Sequence, residues 1–353
     1  MPFFETDRSS AADSITLAQH IAFAPIVFQA SRSLRVLGIL EAIDASGGAT
    51  QAQIVSKLGL SVYGVRVLLE AGLGIGLLTC KDGTYGLTTT GWYILKDGMT
   101  IANMDFSHDV CYQGMFSLDE SILHGKPEGL RVFGEWSTVY QGLAQLPAHV
   151  QKSWFAFDHF YSDDAYPLVI PMIARYHPRS VLDIGGNTGK FALQLLRSDA
   201  DIRVGIVDLP HVAKVAAATI SENGFADRVS FHPGDLLDPR HALPRGFGAI
   251  WMSQFLDCFS EAEIVAILGK VRDALDDDAP AFILEPFWNR QRREVSAFAM
   301  QMISLYFTGI ANGNSQLYHS GLFLELIGKA GLEVTEQVDN IGVCQSLLVC
   351  RKA

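Results

Sequence analysis

No apolar run in this chain approaches the roughly 20 residues a helix needs to cross a bilayer, because proline, glutamine, arginine or glycine interrupts every candidate. Positive charge is scarce: 27 Lys and Arg stand against 38 Asp and Glu, a formal net charge of −11. That balance opposes any partner held through phosphates, since non-specific nucleic-acid binding needs a field of basic side chains. The five cysteines, Cys80, Cys111, Cys258, Cys344 and Cys350, lack zinc-like spacing. The first residues lack the charged start and apolar core of a signal peptide. A soluble cytoplasmic protein with free thiols is expected, with no nucleic-acid, membrane or metal partner.

Apolar residues are plentiful, at 49% against 18% charged. Over 353 residues this predicts two domains, with extra apolar surface buried between subunits of a homodimer. From about Ser14 to Ala45 the apolar spacing is helical and breaks near Pro25, predicting two helices. Thr50 and Ser61 are placed to cap two short helices around a Gly59 turn, and a hairpin turning at Asp82-Gly83 follows. Helix-turn-helix plus hairpin is winged-helix spacing. Residues 1–110 nevertheless hold seven Lys or Arg against ten acids, and the second helix carries only Arg66, so a packing and dimerisation role is expected rather than DNA binding. A helical, aromatic stretch from about Met99 to Tyr166 then connects to the rest.

Past Pro178 short apolar strands alternate with helices, the texture of a doubly wound α/β domain with a parallel sheet and ligands at the strand carboxyl ends. The first strand, Val181 to Ile184 with Asp183 near its end, runs into Gly185-Gly186-Asn187-Thr188-Gly189, a turn rich in glycine where a ligand must approach the backbone. About 20 residues on, Asp208 and Leu209 end the next strand, where a carboxylate is placed to accept ribose hydroxyl hydrogens. Gly234-Asp235-Leu236 ends the third, with an acid able to reach an adenine amino group, and Ser253 ends the fourth. The glycine spacing departs from the Gly-x-Gly-x-x-Gly of nicotinamide enzymes.

The phrases LDIGGNTGKFA, VDLP and GDLL, in that order, resemble the class I S-adenosylmethionine-dependent methyltransferases. More closely, nearly the whole chain is similar to small-molecule O-methyltransferases with an N-terminal winged-helix dimerisation domain. The resemblance implies a Rossmann-like methyltransferase domain over 158–353, a dimerisation domain with connecting helices over 1–157, and S-adenosylmethionine converted to S-adenosylhomocysteine. It places Asp183, Gly185, Gly186 and Gly189 at the methionine end, Asp208 and Leu209 at the ribose, and Asp235 and Leu236 at the adenine, with Ser253 also on the cofactor. The acceptor it implies is a small hydroxylated aromatic or polyketide-like molecule.

Two departures stand out. Family members follow the fourth strand with a Leu-His-Asp-Trp-Ser-Asp-like phrase whose His removes the acceptor proton; here Asp257 replaces the His and Phe259 the Trp. Where the family has Glu-Arg-Thr, this chain has Leu317-Tyr318-His319, and only Glu285 keeps an acid in a supporting position. The catalytic candidates are therefore Asp257 and Glu285. Asp257 is expected to act as a desolvated base for O-methylation, with His108, His159 or His319 as possible helpers. The alternatives are C-methylation of an activated hydroxyaryl ring with Asp257 orienting the phenol, or a non-catalytic cofactor-sensing regulator. Trp154, Phe155, His159, Phe298, Met302 and Tyr306 are expected to line the acceptor pocket.

Overall fold

The computed structural model describes residues 4–7 and 9–353, in two compact units, Met1–His108 and Asp109–Ala353. In the first, a Ser10/Asp13 capping box starts helix Ala11–Ala22, and Pro25 lies in the first turn of the next helix, Ala24–Val36. A Thr50/Gln53 capping box starts Gln51–Leu58, Gly59 ends it with φ of 67°, and Ser61 caps Val62–Ile75. Strands β1 (Ala49–Thr50), β2 (Leu78–Lys81) and β3 (Thr84–Leu87) form an antiparallel sheet in the order β1-β3-β2. The β2–β3 turn uses Asp82 and Gly83, both at positive φ, as predicted.

Leu34, Leu40, Ile43, Ile54, Val65 and Leu69 form the core of this unit. Helix Ala11–Ala22 buries no residue, leaving Ile15, Leu17 and Ile21 exposed. Among the described residues no single helix is long and apolar enough to cross a membrane. The first two helices pass that test of length and composition only as a pair, bent by 69°.

The second unit contains β4 (Ser180–Ile184), β5 (Arg203–Val207), β6 (Val229–Phe231), β7 (Ala249–Ser253), β8 (Ala281–Pro286), β9 (Leu332–Ile341) and β10 (Gln345–Lys352). They lie in the order β6-β5-β4-β7-β8-β10-β9. The first five pair in parallel, as expected of a doubly wound domain, and β10 runs antiparallel to both β8 and β9. Only residues 342–344 separate β9 from β10, too few for the crossover that parallel pairing requires. Helices Glu261–Ala274 and Ser320–Lys329 cover one face, while Tyr166–Ala174, Lys190–Ser198 and Pro210–Glu222 cover the other.

Of the connecting helices, Gly98–Phe106 groups with the first unit and the later ones with the second, where helix Ala148–Ser162 runs unbroken through position 157. Their packing depends on close backbone contact. A Cβ on Gly129 would lie 2.3 Å from the Gly114 carbonyl oxygen and 2.7 Å from that of Gly309. Backbone cannot yield as a side-chain tip can, so Gly129→Ala is expected to cost about 3 kcal/mol of unfolding free energy in urea titration. A cost below about 0.5 kcal/mol would contradict this packing.

Candidate active site

The tips of β4, β5 and β6 adjoin, as the motif spacing predicted. The Gly185 amide donates to Val207 O at 2.9 Å, the His232 amide to Ile206 O at 2.8 Å and the Gly234 amide to Asp208 O at 2.9 Å. The glycine-rich turn is left-handed at Gly185, Asn187 and Gly189. A Cβ on Gly185 would lie 2.4 Å from the Phe255 ring, whereas one on Gly189 meets nothing closer than 3.5 Å. Gly185 is therefore demanded by both space and backbone, and Gly189 by its φ alone.

Asp208 ties this turn to its own strand. Its Oδ2 accepts from the Asn187 amide at 2.9 Å and its Oδ1 from the Leu209 amide at 2.7 Å. Burial raises the carboxyl above its ordinary range, and these two amides oppose the shift. Asp235 is exposed and accepts from the Leu237 amide at 2.8 Å in a local turn. Leu236 directs its side chain into the core and its carbonyl accepts from Lys270 Nζ at 2.7 Å.

A cleft beside the turn is lined by Asp183, Gly185, Gly186 and Asn187, by Ser253 at the end of β7, and by Asp158, His159 and Tyr166 from the helical segment. Asp183 is 2% exposed and its Oδ2 has no hydrogen-bond partner. Burial, with Asp208 adding repulsion, pushes it up to about 8. An orphaned buried carboxyl beside a turn of open glycines fits a ligand that brings positive charge. Asp158, missed in the sequence, is pushed up to about 6 by burial, with Asp163 adding and Lys190 opposing. Lys190 Nζ is itself paired with Asp163 Oδ2 at 2.8 Å. The available signal was the acid run Asp158, Asp163, Asp164 ahead of a glycine turn that ends in lysine.

On the far side of β7, residues 254–260 form a tightly held loop. Glu285 of β8, 1% exposed, accepts through Oε1 from the Phe255 amide at 3.0 Å and the Leu256 amide at 2.8 Å. Asn312 Nδ2 donates to Cys258 O at 2.6 Å and the Tyr318 hydroxyl to Phe259 O at 2.7 Å. The loop carries Asp257, 7% exposed, whose carboxyl burial pushes up to about 7; the Cys258 thiol opposes and Asp158 adds. Burial, then Asp257, drives Glu285 well above the usual carboxylate range. The two acids act as one buried set that cannot hold two full charges.

Of the expected acceptor-pocket residues, Trp154 and Tyr306 meet: the indole Nε1 donates to the Tyr306 hydroxyl at 2.8 Å. Phe155 stacks on His159. Phe298 and Met302, 54% and 45% exposed, share the outer face of helix Glu294–Tyr306 and do not join that group, so their i, i+4 spacing marks a surface stripe. His319 accepts from the Gly321 amide at 3.0 Å as the cap of Ser320–Lys329, and His108 belongs to the first unit. His159 faces Asp163 at 3.7 Å and lines the cleft.

Residues 16–85 match the Dimerisation2-like domain and residues 170–333 the O-methyltransferase domain. An L-tyrosine C(3)-methyltransferase of Streptomyces lavendulae is 25% identical over 90% of this chain and 87% of its own length. A 3-amino-4-hydroxybenzoate 4-O-methyltransferase of Streptomyces cremeus is 22% identical over 84% and 79%. Among solved structures, the apo S-adenosylmethionine-dependent methyltransferase SibL has a TM-score of 0.74 at 22% identity, covering 96% of this chain and 99% of that one. The O-methyltransferase NcsB1, in complex with S-adenosylmethionine and 2-hydroxy-5-methyl naphthoic acid, has a TM-score of 0.69 at 22% identity over 92% and 96%. The chain joins a Dimerisation2-like domain to an O-methyltransferase domain and is an S-adenosylmethionine-dependent methyltransferase.

Proposed function

We propose that the protein transfers a methyl group to the hydroxyl of a small, flat hydroxyaryl acceptor, with Asp257 taking the hydroxyl proton. The observation that carries this is a desolvated carboxyl, pushed up to about 7, on the loop after β7, beside the aromatic group of Trp154 and Tyr306. Bound S-adenosylmethionine supplies an electrophilic methyl on a sulfonium. Gly185, Gly186 and Asn187 would cradle its methionine end against Asp183, while Asp208, with Leu209 behind it, and Asp235 would receive the ribose and adenine. Ser253 and Asp158 border the same space.

A phenol of pKa near 10 is ionised only about one part in a thousand at pH 7, so removing its proton is worth about 4 kcal/mol. An aspartate at its ordinary pKa is too weak for this task; one raised by burial is matched to neutral pH. Glu285 holds the loop in place through two backbone amides. A ring carbon ortho to the hydroxyl is the second acceptor reading, favoured by the tyrosine C(3)-methyltransferase relative that spans 90% of this chain. Both reactions begin from an ionised phenol, so Asp257 serves either.

The exposed apolar residues Ile15, Leu17, Ile21, Phe23 and Ile26 fit a homodimer built through the first unit. The free cysteines fit a reducing compartment such as the cytoplasm.

A screen of phenols with methyl-labelled cofactor, followed by mass-spectrometric location of the label, should find it on a phenolic oxygen. Label on no phenol would refute the proposal. Turnover should rise with pH through about 7 as Asp257 loses its proton. Asp257→Asn should abolish that limb and cut kcat by about 100-fold or more while cofactor affinity holds; an unchanged profile would remove Asp257 from the chemistry. Asp208→Ala should weaken cofactor binding about 10- to 100-fold by calorimetry, the loss of charge-assisted hydrogen bonds, and unchanged affinity would refute the ribose assignment. Ile21→Glu should shift sedimentation from dimer toward monomer; an unaltered dimer would place the interface elsewhere.

A further inference from the structure

We infer that Cys258 and Tyr140 are positioning residues for Asp257, joined to it in a chain in which the Tyr140 hydroxyl donates to Cys258 Sγ and the Cys258 thiol donates to Asp257 Oδ1. The thiol-to-carboxyl contact is 3.4 Å, and the buried Tyr140 hydroxyl lies close enough to the same sulfur for each to shift the other's proton affinity. The inference rests on Asp257 as the proton acceptor for the phenol.

Each member of the chain is fixed from behind. The Cys258 carbonyl accepts from Asn312 Nδ2 at 2.6 Å and its amide donates to Phe255 O at 3.2 Å, so the backbone that carries the sulfur is held in place. Tyr140 lies on the short helix Val139–Gly142, which closes on the Trp136 ring: a Cβ would approach that ring to 2.2 Å from Gly142 and 2.6 Å from Gly134. Two glycines thus clasp one indole and set where the tyrosine stands.

The chemistry suits a base. Burial keeps the Cys258 thiol protonated, so it serves as donor and not as a competing anion. A thiol is a weak donor, able to orient a carboxylate without claiming its basicity as an ammonium would. The other titratable groups that face Asp257 are Asp158 from helix Ala148–Ser162, Glu285 from β8, Tyr318 ahead of helix Ser320–Lys329, and Cys344 between β9 and β10. None of them is cationic. Cys258 supplies the side-chain hydrogen bond that favours the ionised form of Asp257.

Difference infrared spectroscopy of the protonated-carboxyl band, followed from about pH 5 to about pH 9 in the full-length cofactor-free protein and assigned with Asp257→Asn, tests the chain without needing an acceptor. Cys258→Ala should move the Asp257 midpoint up by about 0.5 to 1 unit, since the lost donor favoured the charged form. Cys258→Ser should hold it near the wild-type value, and Tyr140→Phe should move it less, in the same upward direction. A midpoint unmoved in Cys258→Ala, or moved as far in Cys258→Ser, would overturn the inference and leave the sulfur as packing only. Loss of the base assignment reads out separately, as an Asp257→Asn enzyme that keeps its turnover.

Discussion

A carboxylate inside a sheet has few ways to be satisfied, and Glu285 resolves this by gripping the backbone of the neighbouring strand's exit. Its Oε1 accepts from two consecutive amides, those of Phe255 and Leu256, so the loop after β7 starts from a fixed point one strand away. Phe255 in turn packs against Gly185, at a separation that would not admit even a Cβ. One buried acid thereby sets the distance between the glycine turn of β4 and the Asp257 loop. The same acid shares its buried surroundings with Asp257, whose own proton affinity is raised by burial first and by Asp158 after it.

The β4 tip and the loop differ in what they ask of charge. At the β4 turn an unpartnered Asp183, held protonated by burial, and a half-buried Asp158 stand with Lys190 already committed to Asp163, an arrangement in which a cationic ligand would favour the ionised acids. At the loop the acids are shielded by aromatic side chains and a thiol, and in the proposed reaction a proton leaving a phenol would meet a dry carboxyl there. A histidine would hold that proton with no help from its surroundings, as an unperturbed pKa near 6.5 already suits neutral pH. An aspartate reaches the same range only through desolvation, which burial of the loop supplies to Asp257.

Much of this was legible in the sequence because glycine, proline and capping residues announce local geometry. Thr50, Ser61, Asp82-Gly83 and the Gly185–Gly189 turn each stand where the spacing placed them. The antiparallel β9–β10 pair was not legible as such, since an apolar strand reads the same in either direction and only the three-residue connection decides. For Phe298 and Met302 the i, i+4 apolar spacing defined a helix face without saying whether that face turns inward, and both side chains are exposed. Asp158 and Tyr140 lie on helices far in sequence from the strands they serve, and no local pattern ties a lone acid or tyrosine to a distant loop. Cys258 was visible only as one unpaired thiol among five.

The central claim is that the tips of β4, β5 and β6 hold one adenosyl ligand whose reactive end faces Asp257. A crystal structure with S-adenosylhomocysteine tests it most directly. The nucleoside is expected over Asp208 and Asp235, the amino-acid end against Asp183 and Gly185, and the sulfur directed toward the loop that carries Asp257. A nucleoside bound elsewhere, or a sulfur turned away from that loop, would contradict it.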